Sequence, residues 1–523
     1  MSFKTHYDVV VVGGGHNGLV SAAYLAQAGL SVLLLERQAQ VGGAAISARV
    51  FDGLDARLSR YSYLVSMLPQ KIVVDLGLRF EARRRRVAAF TPLVRNGQHK
   101  ALLISNESSQ AAADSFRDVT GSDAEYRAYA RYYELVGQFA QRVWPTLLEP
   151  LQTREQMRRR FADALRAWEM FVELPLGVTI EQMLRDDAVR GAVFTDAKIG
   201  ILTHAHDESL RQNRTYIYHV VGQGTGEWRV PTGGMGALTT EIARVAQAVG
   251  ARIMTEASVS RVLPGIPAEV EFVIGDHVYR VGTDYVLVNA APAVLAHLIP
   301  DAVPVQPDEG SVFKINMLLE RLPRLKAADY RSDDAFTGTF HVNETYTQMQ
   351  VTYESASAGR IPDVLAGEIY CHTLTDPSIL APHLAGAGYQ TLTLFGVDLP
   401  YSLFARGDNQ SLRGQVLERY LYGINQYLDE PIESCLARDS LGNLCIEAKT
   451  PLDIEHELNM PRGHIFHTDL SWPFDDERAG LWGVETDYPN IFMCGSGALR
   501  GGCVSGIAGH NAAMKVLEAV RQR

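Results

Sequence analysis

Gly13, Gly15 and Gly18 stand in G-x-G-x-x-G spacing, and an acidic residue, Glu36, closes the next apolar run. A glycine turn of this kind is common by itself; its surroundings give it weight. Residues 8–12 read as a buried strand, residues 13–18 as the loop, the stretch to about Ala28 as a helix capped by Gly29, and residues 30–35 as a second strand. That order is the unit that cradles a dinucleotide. Gly13 permits the tight turn, Gly15 lets main chain approach a diphosphate, and Gly18 lets helix and strand pack closely. The helix N-terminus adds unpaired N–H groups and the positive end of a dipole. Glu36 accepts hydrogen bonds from ribose hydroxyls and repels a 2′-phosphate, which disfavours NADP at this turn. His16 and Asn17, inside the loop, are expected to shape the cofactor turn rather than to react.

Other residue patterns suggest chemistry and lead nowhere. Gly495-x-Gly497 follows an apolar run, but no further strand with an acidic tip comes after it. Gly233-Gly234-Met235-Gly236 lacks the dinucleotide spacing, so a dedicated NAD(P) domain is not expected. Cys371, Cys435, Cys445, Cys494 and Cys503 form no C-x-x-C pair and no zinc spacing, which removes the redox pair of the disulfide reductases. His204-x-His206 and His464-x-x-His467 lack the cysteines or carboxylates that would complete a metal site, and no metal is expected. His467, His219 and Trp228 remain as candidates for catalysis, weighed against ordinary packing.

The elements that must position these residues fall into separated blocks. A polar, helix-rich stretch runs from about 105 to 190. A second α/β signal follows: a glycine turn at 232–236, an amphipathic helix over 238–249 closed by Gly250, and strands at 252–263 and 284–289. Residues 305–475 mix strand-like stretches (312–318, 348–353, 391–395) with a helix near 415–428, and the end returns to strand (490–494), glycine turn and helix. The pattern predicts an α/β chain with a discontinuous Rossmann-like nucleotide domain made of residues 1–100, 220–300 and 480–523. A mixed α+β substrate, or cap, domain made of 101–219 and 301–479 is inserted in it.

Composition narrows the partners. The 49 basic and 60 acidic residues give a formal charge of −11, which argues against nucleic acid. Arg83, Arg84, Arg85 and Arg86 form one basic run, read as a solvated face beside a strand, with a lipid-headgroup anchor as the sharper alternative. No apolar stretch is long enough to span a bilayer and no leader segment precedes the first strand, so a cytoplasmic protein is expected, with peripheral membrane contact left open. Oligomeric state is not legible.

Beyond Glu36 and Arg37 the pattern continues to Gly42-Gly43-Ala44. This extended form resembles the signature of FAD enzymes of the glutathione-reductase-like and amine-oxidase-like class. Five segments carry a more specific likeness: YDVVVVGGGHNGLVSAAYLAQAGLSVLLLERQAQVGGAA, LSRYSYLVSML, GEWRVPTGGMGALTTEIARVAQAVGARI, RGHIFHTDLSW and NIFMCGSGALRGGCVSGIAGHNAA. In order, they resemble the phytoene-dehydrogenase-like, carotenoid-desaturase-related flavoproteins over nearly the whole chain. The resemblance implies FAD, its ADP half held by Gly13, Gly15, Gly18, Glu36, Arg37, Gly42, Gly43 and Ala44. It places the main chain of Val259 at the adenine, and Ser59, Arg60, Tyr61, Ser62 and Tyr63 near the flavin ring. It puts Gly495 at the ribityl and diphosphate region, and Cys503 and Val504 where the last helix aims its positive end at the flavin. It also implies hydride transfer to flavin from a C–H bond of a small hydrophobic, polyene-like substrate. An O2-using amine or alcohol oxidase, a redox-neutral isomerase and a flavin-holding interaction protein stay open beside it.

Overall fold

The apolar run His6–Val12 becomes the middle of a seven-stranded sheet in the computed structural model, which describes residues 4–522. Residues 1–3 and 523, assigned above to the nucleotide domain, lie outside the described residues. Val32–Leu35 pairs with this strand in parallel on one side and His277–Val288 on the other. Val9, Val10, Val11, Leu33 and Leu34 have no exposed surface, because helices cover the sheet on both faces; hence the unbroken apolar runs. Arg252–Met254 extends the sheet beyond Val32–Leu35. On its other edge His277–Val288 serves two further neighbours: its first half pairs antiparallel with Ala268–Ile274, its second half parallel with Ile491–Met493. Early, middle and late stretches of the chain thus share one sheet and one apolar core.

A second seven-stranded sheet has the order Ile446–Lys449, Phe313–Leu319, Gln390–Gly396, Gly367–Tyr370, Thr339–Val342, Val87–Arg95, Gln98–Ser105. Its strands alternate. Phe313, Ile315, Met317, Phe340, Val342, Ile369, Leu392 and Leu394 fill an apolar core on one face. The opposite face carries polar residues, and it does not meet bulk water. Two sequence expectations change here. The sequence reading assigned residues up to 100 to the nucleotide domain, but the hairpin Val87–Arg95/Gln98–Ser105 joins the second sheet through Thr339–Val342. Its turn is Asn96-Gly97, both at positive φ, the pair that suits a two-residue hairpin loop. Residues 348–353, expected as strand, lie in the helix Tyr346–Ser357, whose N-terminus Thr345 caps by accepting from the Gln348 N–H. That cap outweighs the local alternation of QMQVTY.

Between Ser109 and Val220 the chain is helical and builds its own core around Tyr132, Phe139, Phe161, Trp168, Phe171 and Tyr216. No helix among the described residues is long and apolar enough to cross a membrane. A cavity lies where three surfaces meet: the carboxyl ends of the parallel strands, the polar face of the second sheet, and the helical layer. Ligands of open parallel sheets bind at such strand ends.

Candidate active site

The opening loop is held from both sides. Gly13, at φ +97, donates to the Leu35 carbonyl at 2.8 Å, and the Gly42 N–H donates to the Gly14 carbonyl at 2.8 Å. The carboxylate of Glu36 accepts from the Gly14 N–H at 2.7 Å and the Gln38 N–H at 2.8 Å, so its orientation is fixed and each oxygen keeps a free lone pair. The helix His16–Gln27 begins directly at the loop with no side-chain cap on its first N–H groups. Asn289, at the end of the neighbouring strand, ties the loop down by donating from Nδ2 to the Gly13 carbonyl at 3.2 Å. A Cβ at Gly13, Gly15, Gly18 or Gly495 would lie 2.8–3.0 Å from an atom of Asn289. Sequence reasoning missed this residue; its only signal was a polar side chain closing the apolar strand YVLVN.

The cavity measures about 1460 Å³ and runs unbroken from this loop to the second sheet. Gly13, Gly15, His16, Glu36, Arg37, Gly43, Ala44, Arg60, Tyr61, Ser62, Tyr63, Val259, Cys503 and Val504 line it, as do His219, Trp228 and His467. Asn17, Gly18, Gly42, Ser59 and Gly495 stand behind the lining. Gly18 packs on the Gly13 carbonyl, Ser59 Oγ accepts from the Met235 N–H, and Gly42 bridges to Gly15. Arg37 leaves the loop and donates to the Glu457 carbonyl at 2.8 Å. The last helix begins at Ile507 rather than near Val504, because the chain first turns through Gly506 at φ +75.

The three catalytic candidates are neutral imidazoles or an indole at different places. Burial draws His219 down to about 4; its Nδ1 donates to the Thr215 carbonyl at 2.8 Å, which leaves Nε2 as an acceptor. Trp228 packs on it and donates from Nε1 to the His219 carbonyl at 2.9 Å. His467, at φ +68, lies beside Ala290 and Gly497 at the nucleotide end, and burial takes it and His16 down to about 4. Burial pushes the Cys503 thiol up to about 12, so it stays protonated.

The polar face of the second sheet was not foreseen. Register sets His341, Glu368, Phe395, Lys314 and Lys449 side by side in one row, and Tyr370, Thr393, Asn316 and Glu447 in the next. Lys314 Nζ donates to Thr393 Oγ1 at 2.6 Å and lies 4.1 Å above the Tyr63 ring, which packs against Tyr370 with centroids 4.3 Å apart. Burial takes the Lys314 ammonium well below the usual lysine range, lifts Glu368 to about 7 and lifts Asp196 to about 8. The run Arg83–Arg86 is solvated only in part. Arg84 pairs with Glu227 and Arg86 with Asp334, each at 2.5 Å, while Arg85 is buried and lines the cavity.

His341, Glu344 and Glu368 bring ligand atoms within 4.8 Å of one another. Arg85 stands close enough to help burial hold His341 down to about 3, and a guanidinium there opposes a second cation. The histidines weighed in the sequence are engaged otherwise: His206 Nε2 meets Glu181 at 2.8 Å and His464 Nε2 meets Asp469 at 3.2 Å.

The nucleotide end fits a dinucleotide on its own terms. Gly13 and Gly15 line the cavity with no side chain in front of their main chain, and a fixed carboxylate stands at the next strand end. Among the described residues His16 Nε2 and His467 Nδ1 are buried polar atoms with no hydrogen-bond partner. Residues 11–71 match the family model described as NAD(P)-binding Rossmann-like domain. Uncharacterized protein Rv0897c of Mycobacterium tuberculosis is 46% identical over 99% of this chain and 98% of its own length. The chain belongs to that protein's family. Pyridine nucleotide-disulfide oxidoreductase domain-containing protein 2 of Mus musculus is a further homologue, 29% identical over 99% of this chain and 94% of its own. Among solved structures, wild-type putrescine oxidase bound to putrescine superposes with a TM-score of 0.58 at 17% identity, covering 99% of each chain. The fold is that of the FAD amine-oxidase-like oxidoreductases.

Proposed function

We infer that the chain is an FAD-dependent oxidoreductase of the dehydrogenase or desaturase type, acting on an amphipathic substrate. One observation carries this: a single cavity joins the glycine loop and Glu36 to a chamber with an apolar wall and an ionisable one. Gly13, Gly15, Gly43 and Ala44 would meet the diphosphate with main chain, Glu36 the ribose, and Val259 the adenine. Bound there, the flavin supplies a two-electron acceptor for a hydride from a substrate C–H bond. The remaining work belongs to side chains. Ile199, Val220, Ile465 and Phe466 on the helical side hold the apolar body and exclude water. Loss of hydride from carbon must be matched by loss of a proton from the adjoining atom if a double bond is to form. Lys314 Nζ, which lines the chamber and whose charged form burial disfavours, is the group that accepts that proton. Glu368, near 7, can pass it on.

The expectation of a hydrophobic substrate is therefore kept for one wall only; the sheet wall asks for a polar group. The test is anaerobic mixing of the flavin-loaded protein with long-chain alcohols, amines and acids. Bleaching of the oxidised flavin band by at least one class supports the reading. Isomer conversion without bleaching, or an unbleached flavin with every class, contradicts it.

A further inference from the structure

Among the described residues, several buried cations are met by carboxylates or by close carbonyl oxygens. Lys198 meets Asp398 at 2.7 Å, and Lys449 meets Glu457 at 2.5 Å and Glu447 at 3.2 Å. Arg500, 1% exposed, sits in a cage of backbone carbonyls, donating to Thr146, Glu149 and Trp482 at 3.0, 2.5 and 2.8 Å. Lys314 has a hydroxyl acceptor and an aromatic face, and a lysine whose charged form burial disfavours can relieve the cost by releasing its proton. An arginine cannot.

Arg85 is 6% exposed and lines the cavity, and among the described residues no carboxylate lies within ion-pair distance of its guanidinium. It makes two long hydrogen bonds, from Nε to the Trp228 carbonyl at 3.3 Å and from Nη1 to Thr339 Oγ1 at 3.2 Å, and its Cζ lies 5.8 Å from the Tyr370 ring centre. Glu227, the carboxylate next in sequence space to Trp228, is taken by Arg84 and Arg229. Glu368 faces the same space and acts on Arg85 through space, but among the described residues it makes no ion pair or hydrogen bond with it. A permanent charge left this way costs several kcal/mol unless an anion completes it. Its planar fork suits a carboxylate bidentately. Val136 and Ile199 line the helical side of the same chamber and suit an apolar chain.

We propose that Arg85 receives the carboxylate of the substrate, so that the chamber takes an organic acid with an apolar body. This deepens the oxidoreductase reading and rests on it. The substrate's charged end is then fixed at the sheet wall, and a C–H bond further along the chain is presented toward the nucleotide end.

Binding rather than turnover tests it. Flavin-loaded protein is titrated calorimetrically with octanoate, octanol, octylamine and octyl phosphate. Octanoate is expected to bind about tenfold or more tightly than the other three, the difference expected for one charge-assisted pair. Arg85→Met is expected to abolish that preference while flavin content is unchanged, and Arg85→Lys to restore part of it. Octylamine, octanol or octyl phosphate binding as well as octanoate would overturn the proposal. So would no octanoate binding at all, full octanoate affinity in Arg85→Met, or loss of flavin from it. If the methionine variant fails to fold, the four-ligand comparison on the unaltered protein decides. A flavin that no substrate bleaches would count against the redox reading and leave these affinities standing.

Discussion

Gly15→Val is expected to give a folded protein without flavin, and Gly18→Val is expected to give no folded protein. The two glycines differ in what a side chain would meet. At Gly18 a Cβ would lie 2.3 Å from the Gly13 carbonyl oxygen, which is backbone and cannot move aside without opening the sheet. Overlap of that depth in a close-packed core costs several kcal/mol, against a total stability of about 5–15 kcal/mol. At Gly15 the nearest atom is Asn289 Nδ2 at 2.8 Å, the free end of a side chain. Asn289 can turn away at the cost of its bond to the Gly13 carbonyl, roughly 1 kcal/mol. The valine methyls then occupy the lining where main chain should touch the diphosphate. FAD affinity is expected to fall about a hundredfold or more, on the order of 3 kcal/mol. Circular dichroism and flavin content together check both variants. A yellow Gly15→Val protein with full flavin content would place the diphosphate elsewhere.

Lys314→Met is expected to keep the flavin and lose the reaction. Methionine fills much of the same volume and preserves the packing over Tyr63, but it offers no nitrogen to take a proton. Removal of a positioned base slows the chemical step by about 10²–10⁴-fold. The pH dependence identifies the group. Burial lowers the Lys314 pKa, so its unprotonated, active form already prevails well below the pH at which an ordinary lysine titrates. Flavin reduction in the unaltered protein should therefore rise with pH as Nζ loses its proton and then level off. The rising limb should vanish in Lys314→Met, with stopped-flow reduction rates as the measurement. A methionine variant that is reduced at the original rate, with the same pH profile, would remove Lys314 from the proton path.

The nucleotide half was legible because its signal is contiguous. Loop, helix, strand and acidic tip follow one another within residues 8–36, and each carries a residue type dictated by backbone geometry. The discontinuity of the domain also showed, since the strand at 284–289 and the final strand and helix keep the same grammar. The substrate wall was hidden for the opposite reason. Residues 312–318 read as strand, but Thr339-Phe340-His341-Val342 and Glu447-Ala448-Lys449 alternate over stretches too short to stand out, and only pairing register sets the three side by side. Alternation also says nothing about whether the polar face meets water or an interior chamber. The same ambiguity concealed Arg85: four consecutive arginines read as a solvated charge run, while strand pairing of Ala82–Arg83 with Val230–Pro231 leads Arg85 inward. Asn96-Gly97 was a hairpin signal that would have moved the domain boundary.

A diphosphate against the opening loop, with its sugar at Glu36, is what every later step requires. Calorimetric titration of the flavin-free protein with FAD tests this most directly, beside Glu36→Ala as the partner measurement. One FAD per chain, bound more weakly by the alanine variant, is the predicted result. A well-folded protein that gives no heat with FAD, or a Glu36→Ala variant that binds it undiminished, would contradict it.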